Sequence, residues 1–259
     1  MAIEQIRIVL IEPAHPGNIG AVARAMKTMS FSDLVLVRPA TFPSEEADRR
    51  AMGSIDILQR ARVVANLNEA VADCQLVIGG SARERTFPHE VLDARTCGEK
   101  LVAETEQGIS AALVFGPERT GLENQDLDRC TFQVVIPAND AFSSLNLASA
   151  VQLLCYETFV AQQNCSASEG SPVSAIPEAE ANRSGKPPAK LIHQPSTQIE
   201  MEAFFDHLER ALDTRDYLEG DMREVTLMKL RRLFGRARPN RGEIKLLHTL
   251  TRFIHRDGG

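Results

Sequence analysis

Short aliphatic runs alternate with helix-like segments over residues 1–160. Six runs are too short for helices and are bounded by Gly, Pro, Asp or Asn, as strands usually are; they cover residues 6–11, 34–37, 62–64, 76–78, 112–115 and 133–136. Helical patterns lie between them, at residues 18–29, 67–72, 98–106, 124–129 and 144–160. Nearly continuous apolar strands joined by helices predict an α/β fold, with a parallel sheet covered by helices on both faces.

The alternation ends at residue 160, and residues 161–196 differ in composition. Five of the chain's 13 prolines fall in this segment, which is rich in Ser, Ala and Glu and has no aromatic residue. Ordering a backbone costs about 1–2 kcal/mol per residue, and this segment has too few apolar side chains to offset that cost. We therefore predict a flexible linker at 161–196, between an α/β domain at 1–160 and a C-terminal domain at 197–259.

Helical periodicity returns after the linker. Three apolar stripes predict a small all-α bundle; they contain Ile199, Ala203, Phe204, Leu208, Ala211 and Leu212, then Val225, Met228, Leu233 and Phe234, then Ile244, Leu247, Leu250, Thr251 and Ile254. Residues 223–259 hold ten basic and three acidic residues, a net charge of +7, whereas residues 1–222 carry −13. This asymmetry favours a polyanion partner, although a solvated basic helix face has the same composition. The bundle is therefore interpreted as an RNA-contacting module, a dimerisation cap or a docking element.

Composition disfavours several other classes of protein. No apolar run reaches the roughly 20 residues of a membrane-spanning helix, and the first residues lack the pattern of a signal peptide. The five cysteines, at positions 74, 97, 130, 155 and 165, form no CxxC pair. They predict neither a disulfide framework nor a zinc site, and buried, unreactive thiols are expected instead. We therefore expect a cytoplasmic protein without a metal.

The loops after the strands are the candidates for chemistry, because open α/β sheets bind ligands beyond the carboxyl ends of their strands. After the first strand, Gly17 and Asn18 open a helix that carries Arg24. The fourth strand ends in glycines that let the backbone approach a ligand, and Arg83 follows them, where it can pair with a phosphate. Taken singly, each loop is equally explained by helix capping or by a turn. The GxGxxG and GxxxxGK[ST] fingerprints are absent, which disfavours a dehydrogenase or a kinase.

Taken together and in order, these motifs resemble the SPOUT superfamily of RNA methyltransferases, in its TrmH-like branch. The resemblance rests on Gly17-Asn18-Ile19-Gly20-Ala21 with Arg24, on Phe115-Gly116-Pro117-Glu118 with Gly121-Leu122, and on Ser144-Leu145-Asn146-Leu147-Ala148. Residues 23–29, 81–83 and 229–234 are similar to the TrmJ-type bacterial tRNA 2′-O-methyltransferases, which modify nucleotide 32 of the anticodon loop. The resemblance covers nearly all of 1–160 and part of the bundle, and nothing in the linker.

The resemblance implies a deep trefoil knot over about residues 111–160, a homodimer, and S-adenosylmethionine bound in a bent form. The cofactor-binding residues that it implies are Gly80, Ser81, Ala82, Gly116, Ile136, Ser143, Ser144, Leu145 and Asn146. No metal is needed, because the methyl carbon of a sulfonium is already electrophilic and the protein mainly aligns the attack.

Arg24 is the catalytic residue that the resemblance implies. Because a guanidinium stays protonated in proteins, we interpret Arg24 as binding the phosphate next to the target ribose and stabilising charge on its oxygen, with Ser143 relaying the proton. RNA contacts are assigned to Asn18, Arg83, Glu118, Arg119, Lys229, Arg231 and Arg232. Pro117 and Phe142 stand where related chains often carry a basic residue and a tyrosine, so a role for that phenolic hydroxyl does not transfer. The alternatives are a non-catalytic RNA-binding adaptor on the same scaffold and a methyltransferase for another tRNA or rRNA site.

Overall fold

Seven strands form one parallel sheet in the computed structural model of the chain, which describes residues 2–81, 90–139, 144–168, 194–214 and 222–256. The strands are β1 (Ile6–Ile11), β2 (Asp33–Val37), β3 (Arg62–Val64), β4 (Leu76–Gly80), β5 (Val91–Leu92), β6 (Ala111–Phe115) and β7 (Phe132–Val134). Their order is β3-β2-β1-β6-β4-β7-β5, and all neighbours are parallel. The predicted α/β fold is therefore confirmed.

Helices cover the sheet and form a separate bundle after it. The helices of the α/β body are α1 (Pro16–Thr28), α2 (Glu45–Ala51), α3 (Ile55–Arg60), α4 (Leu67–Val71), α5 (Ala94–Glu106), α6 (Asn124–Leu127) and α7 (Leu147–Ser168), after a 3-10 turn at Ala2–Gln5. The bundle consists of α8 (Gln198–Asp213), α9 (Met222–Ala237) and α10 (Arg241–Arg256). Among the described residues, no helix is both long enough and apolar enough to cross a bilayer.

The central strand β1 shows how the sequence fills a core on each face of the sheet. Its side chains alternate, because successive residues of a strand point to opposite faces. Ile8 and Leu10 lie in the core that α1, α5 and α7 cover, whereas Val9 and Ile11 lie in the core on the α4 side. All four side chains are at most 4% exposed. Burial on both faces explains why the strands read as unbroken aliphatic runs.

The structure differs from the predicted elements mainly in short segments. Strand β5 has two residues, and α2 buries only Ala47 and Ala51, so neither leaves a hydrophobic pattern in the sequence. Helix α7 starts at Leu147, later than the predicted residue 144, because Asn146 Oδ1 accepts the N–H of Ala148 and caps the helix. The helix continues to Ser168, beyond the predicted start of the linker at residue 161. Residues 169–193, most of the predicted linker, lie outside the described part of the chain.

The bundle has its own hydrophobic core, built around two aromatic rings. Phe204 of α8 and Phe234 of α9 meet edge to face with their ring centroids 4.9 Å apart. The remaining buried side chains of this core are Met201, Phe205, Leu208 and Ile244. The predicted three-helix bundle is therefore present in the structure.

Several residues of the predicted bundle stripes are exposed instead. They are Ile199, Ala203, Val225, Leu233 and Leu250. Met201, Phe205 and Leu230 pack into or against the core in their place. Ile199 lies in the first turn of α8, where its N–H donates to the carbonyl of Ala72 in the α/β body. The side chain of Ile254 lies outside the described residues.

The bundle contacts the α/β body at the end of the sheet where the strands begin. Gln198 N–H donates to Cys74 O at 2.9 Å, and the Gln75 side chain donates to Pro195 O at 2.8 Å, both just before β4. Arg232 and Arg238 pair with Asp128 and Glu104, in the segments that lead into β7 and β6. The carboxyl ends of the same strands are therefore at the opposite edge of the sheet from the bundle.

Candidate active site

A cleft opens at the carboxyl ends of β4, β6 and β7, where parallel sheets usually bind ligands. It encloses about 1300 Å³ of empty space, part of it open to solvent. Main-chain loops, small residues and aliphatic side chains line it: Gly80, Ser81, Phe115, Gly116, Pro117, Glu118, Arg119, Thr120, Gly121, Val134, Ile136, Ser144, Leu145, Leu147, Ala150 and Leu154. The walls combine apolar side chains such as Leu147 and Leu154 with a few polar ones such as Glu118, which is typical of a small-molecule site.

Two glycines shape the loop after β6 for different reasons. A Cβ on Gly116 would lie 2.3 Å from Gly121 C and from Leu122 N, so any side chain there collides with the backbone of the same loop. Gly121 has open space around it but a φ of +68°, a conformation that residues with a side chain rarely adopt. The loop is closed by the Gly121 N–H, which donates to Pro117 O at 2.8 Å. Gly116, Pro117 and Gly121 of this tight turn line the cleft.

Glu118 joins the loop after β6 to the start of α1. Its carboxylate accepts the N–H groups of Ala14 and His15 at 2.9 and 3.2 Å, and the Nδ2 of Asn18 at 2.9 Å. Burial alone would raise the pKa of Glu118, but the hydrogen bonds from Ala14 and Asn18 outweigh it, and the pKa is lowered. The side chain is therefore held as a carboxylate.

Asn18 extends the same network to the third motif. Its Oδ1 accepts from Asn146 Nδ2 at 3.2 Å, while Asn146 Oδ1 caps α7 through the N–H of Ala148. Residues that are 100 and 128 positions apart in the sequence therefore meet beside the cleft. Local capping does not explain Asn18: the N-cap position of α1 is His15, and the Asn18 side chain bonds to Glu118 and Asn146 instead.

Arg24 lies on the exposed side of α1, outside the cleft of its own chain. Its guanidinium forms no hydrogen bond or ion pair within the described residues, so it is available for an anion. Arg119 lines the cleft and is also exposed.

Comparison with known proteins places this geometry in a family. Residues 5–156 match the SpoU rRNA Methylase family, and residues 199–257 match the C-terminal domain of the tRNA methyltransferase TrmJ. The chain belongs to the SpoU methylase family, in its TrmJ branch. Its members are methyltransferases, and the suspected family is confirmed.

Similar chains and structures span almost the whole length of this one. The tRNA (cytidine/uridine-2′-O-)-methyltransferase TrmJ of Klebsiella pneumoniae is 43% identical, over 95% of this chain and 94% of its own. The tRNA (cytidine/uridine/adenosine-2′-O-)-methyltransferase TrmJ of Pseudomonas aeruginosa is 42% identical, over 95% and 91%. The crystal structure of TrmJ from Z. mobilis ZM4 is 31% identical and superposes with a TM-score of 0.78, covering 96% of this chain and 98% of its own.

The structure brings most of the predicted cofactor residues of this TrmJ-type methyltransferase together. Gly80, Ser81, Gly116, Ile136, Ser144 and Leu145 line the cleft. Asn146 does not; it bonds to Asn18 and caps α7. Ala82, Arg83 and Ser143 lie outside the described residues. The sequence reasoning missed Phe115, Leu147, Ala150 and Leu154, whose only signal was their place at a strand end or on one face of α7.

The predicted RNA contacts on α9 differ in their surroundings. Arg231 forms two hydrogen bonds to Glu202 and lies over the ring of Phe205, and Arg232 pairs with Asp128. Lys229 is exposed, and no partner of its ammonium lies within the described residues. The same is true of three cations that the sequence reasoning did not single out, namely Arg236, Lys245 and Arg252.

None of the five cysteines lines the cleft. Four are buried and Cys165 is partly exposed. Burial raises the pKa of the Cys74 thiol to about 12 and that of Cys97 likewise to about 12, so neither is a ready nucleophile. Among the described residues, no group of three or more His, Cys, Asp or Glu side chains is placed to hold a metal ion.

Proposed function

We propose that this protein methylates the ribose 2′-hydroxyl of a tRNA nucleotide, at position 32 of the anticodon loop. The observation that carries the proposal is the network of Glu118, Asn18 and Asn146, which assembles three separated motifs beside one cleft. The names of the relatives from K. pneumoniae and P. aeruginosa support a tRNA ribose as the substrate. Position 32 rests on the resemblance alone.

S-adenosylmethionine fits the donor set of the cleft. The close turn at Gly116 leaves no room for a side chain, so main-chain groups of this loop would meet the polar ends of a nucleoside. Phe115, Leu147 and Leu154 supply apolar surface for an adenine. When bound, this cofactor supplies a methyl group on a sulfonium. Gly80, Ser81, Gly116, Ile136, Ser144 and Leu145 would hold it.

Residues of the protein must remove the proton of the ribose hydroxyl and bind the RNA. A ribose hydroxyl is a weak nucleophile until its proton leaves. Arg24 would bind the phosphate beside the target ribose and stabilise the charge that develops on the oxygen. Ser143, which lies outside the described residues, would relay the proton. Asn18 and Glu118 would keep the start of α1, and with it Arg24, in a fixed relation to the cleft.

We propose a homodimer from the position of Arg24. The cleft of the same chain is not lined by Arg24, although α1 packs against α7 beside it. On the outer side of α7, Leu153 and Tyr156 are 38% and 48% exposed, and Leu145 at the cleft is 38% exposed. A second copy of the chain on this apolar face would cover it and place an arginine of one subunit near the cleft of the other.

The C-terminal bundle, on the far side of the proposed linker, would hold the body of the tRNA. Lys229, Arg236, Lys245 and Arg252 are its exposed cations without a partner in the described part of the chain. Phosphates bind to such cations with strong salt dependence. We place the enzyme in the cytoplasm, where tRNA is modified, and we assign it no metal.

Methyl transfer from labelled S-adenosylmethionine to a tRNA transcript tests the proposal. The label is expected at nucleotide 32 after nuclease digestion. Binding of tRNA and cofactor without transfer would indicate an adaptor instead, and label at another nucleotide would indicate another site.

A further inference from the structure

Two arginines of the basic bundle form partly buried ion pairs with acidic residues of the α/β body. Arg232 donates through Nε and Nη2 to Asp128 Oδ1 at 3.0 and 2.8 Å. Arg238 donates through Nη1 and Nη2 to the two carboxylate oxygens of Glu104 at 2.5 and 3.0 Å. The side chains of Arg232 and Asp128 are 10% and 15% exposed, and those of Arg238 and Glu104 are 20% and 15% exposed.

Main-chain hydrogen bonds strengthen the same junction. The N–H groups of Gln198 and Ile199, at the start of α8, donate to the carbonyls of Cys74 and Ala72 at 2.9 and 3.0 Å. The Gln75 side chain donates to Pro195 O at 2.8 Å. Ion pairs that are shielded from water and have good geometry hold a fixed orientation, because breaking one leaves a charge without a partner. The bundle is therefore attached to the body in one orientation.

The junction is separated from the cleft by the length of the sheet. Gln75, at the junction, directly precedes β4, and Ser81, at the cleft, directly follows it. The five residues of β4 (Leu76–Gly80) span about 17 Å at roughly 3.3 Å per residue. The exposed cations belong to a bundle that contacts the body at the junction, at the opposite edge of the sheet from the cleft. An RNA that contacts one chain's bundle and its cleft must therefore be longer than the sheet.

We infer that Arg232 and Arg238 are positioning residues, which fix the bundle at a set distance from the cleft and so make the enzyme select RNAs long enough to reach both. The inference rests on the proposed function. It also assigns Arg232 to the junction and not to a phosphate. The bundle has its own core around Phe204 and Phe234, so loosening the junction leaves the bundle folded.

Kinetics with two substrates test this role, using a full-length tRNA transcript and the isolated anticodon stem-loop of the same tRNA. The wild-type enzyme is expected to have a much lower KM for the full-length tRNA. The double variant Arg232→Gln/Arg238→Gln is expected to raise that KM by about tenfold, a loss of roughly 1.4 kcal/mol in binding. Its kcat, and its KM for the stem-loop, should stay near the wild-type values.

Arg223→Gln is the matched control for charge. It also removes a positive charge from the bundle, but Arg223 pairs with Glu209 and Asp213 inside the bundle. Its KM for tRNA is expected to stay near the wild-type value, since the Arg223 guanidinium is held by two carboxylates of the bundle and, within the described residues, forms no ion pair with the α/β body. An equal rise in KM for Arg223→Gln and for Arg232→Gln would overturn the inference, because net charge alone would then explain both.

A charge exchange separates positioning from direct RNA contact. The variant Asp128→Arg/Arg232→Asp restores the ion pair with its signs reversed. It is expected to reverse most of the rise in KM that Arg232→Asp alone causes. No recovery in a folded protein would overturn the positioning role. Equal KM values of the wild type for tRNA and stem-loop would overturn this inference alone, whereas absence of methyl transfer to either RNA would overturn the proposed function with it.

Discussion

Asn18 Nδ2 donates to Glu118 Oε1 at 2.9 Å and thereby fixes the start of α1 against the loop after β6. The same carboxylate holds the N–H groups of Ala14 and His15. Glu118, which the sequence suggested as an RNA contact, thus has three hydrogen-bond partners inside the protein. Its effect on RNA would be indirect, through the position of α1 and Arg24.

Replacing Glu118 with Gln should destabilise the protein and weaken cofactor binding. Glutamine keeps the size but loses the charge, and its NH₂ group faces the N–H donors of Ala14 or His15. Hydrogen bonds to a charged acceptor contribute about 1.5–3 kcal/mol, so we expect a loss of that order in the free energy of unfolding. Urea denaturation and calorimetric titration with S-adenosylmethionine measure the two effects. Glu99→Gln, on the exposed side of α5, is the control and should change neither.

The contribution of Glu118 should disappear in acid. Its folded pKa lies below the ordinary value, so its stabilisation is complete above the unfolded pKa of about 4.3 and is lost as pH falls through the lowered folded pKa. The difference in unfolding free energy between the wild type and Glu118→Gln should therefore be constant near neutral pH and shrink below about pH 4.3. Denaturation curves across this range check the trend. A difference that grew in acid would mean that Glu118 is not held as a carboxylate.

Gly116→Ala should abolish the cofactor site while leaving most of the fold. The new Cβ would lie 2.3 Å from Gly121 C, so the loop must move away from its tight turn. Inserting atoms into packed structure costs about 1–3 kcal/mol, and the displaced loop would no longer present its main-chain groups. A thermal-shift titration with S-adenosylmethionine measures the loss. Gly235→Ala, which meets no atom within 4 Å, serves as control and should bind cofactor normally.

Arg24→Ala and Arg24→Lys should separate binding from catalysis. Arg24 lies outside the cleft, so cofactor affinity should be unchanged in both variants. If Arg24 stabilises charge on the ribose oxygen, Arg24→Ala should lower kcat by at least about a hundredfold, the effect of removing one such donor. Lysine keeps the charge but not the planar fork, so only partial activity is expected. Near-normal methylation by both variants would remove Arg24 from the mechanism.

Neutralising the exposed cations of the bundle should reduce the salt dependence of tRNA binding. Lys245 and Arg252 lie two turns apart on α10, on its exposed side. Each phosphate that a cation neutralises adds about 0.7–0.9 to the slope of log affinity against log salt. The variant Lys245→Ala/Arg252→Ala should lower the slope by about that amount for each phosphate that is no longer neutralised. An unchanged slope in filter-binding titrations would show that RNA binds to another face.

The sequence predicts the strands well because burial on both faces demands long aliphatic runs, as in β1 and β6. It predicts the loop after β6 through Gly116, where any side chain would collide with the backbone of the same loop. It cannot predict that Asn18 bonds to Glu118 and Asn146, since all three could cap or turn locally and only the sheet order brings them together. The sequence does not predict the ion pairs of Arg231 and Arg232 for the same reason. Their partners, Glu202 and Asp128, are distant in the sequence, and the sequence alone does not distinguish a paired arginine from an unpaired one.

The central claim is that the cleft serves transfer of a methyl group to a ribose 2′-hydroxyl. Two tRNAs that differ only at nucleotide 32, one with ribose and one with 2′-deoxyribose, test it most directly with labelled S-adenosylmethionine. We predict label on the ribose-containing tRNA and none on its 2′-deoxy counterpart, with similar binding of both. Equal labelling of the two tRNAs would contradict the claim, because the methyl group would then be carried by another atom or another nucleotide.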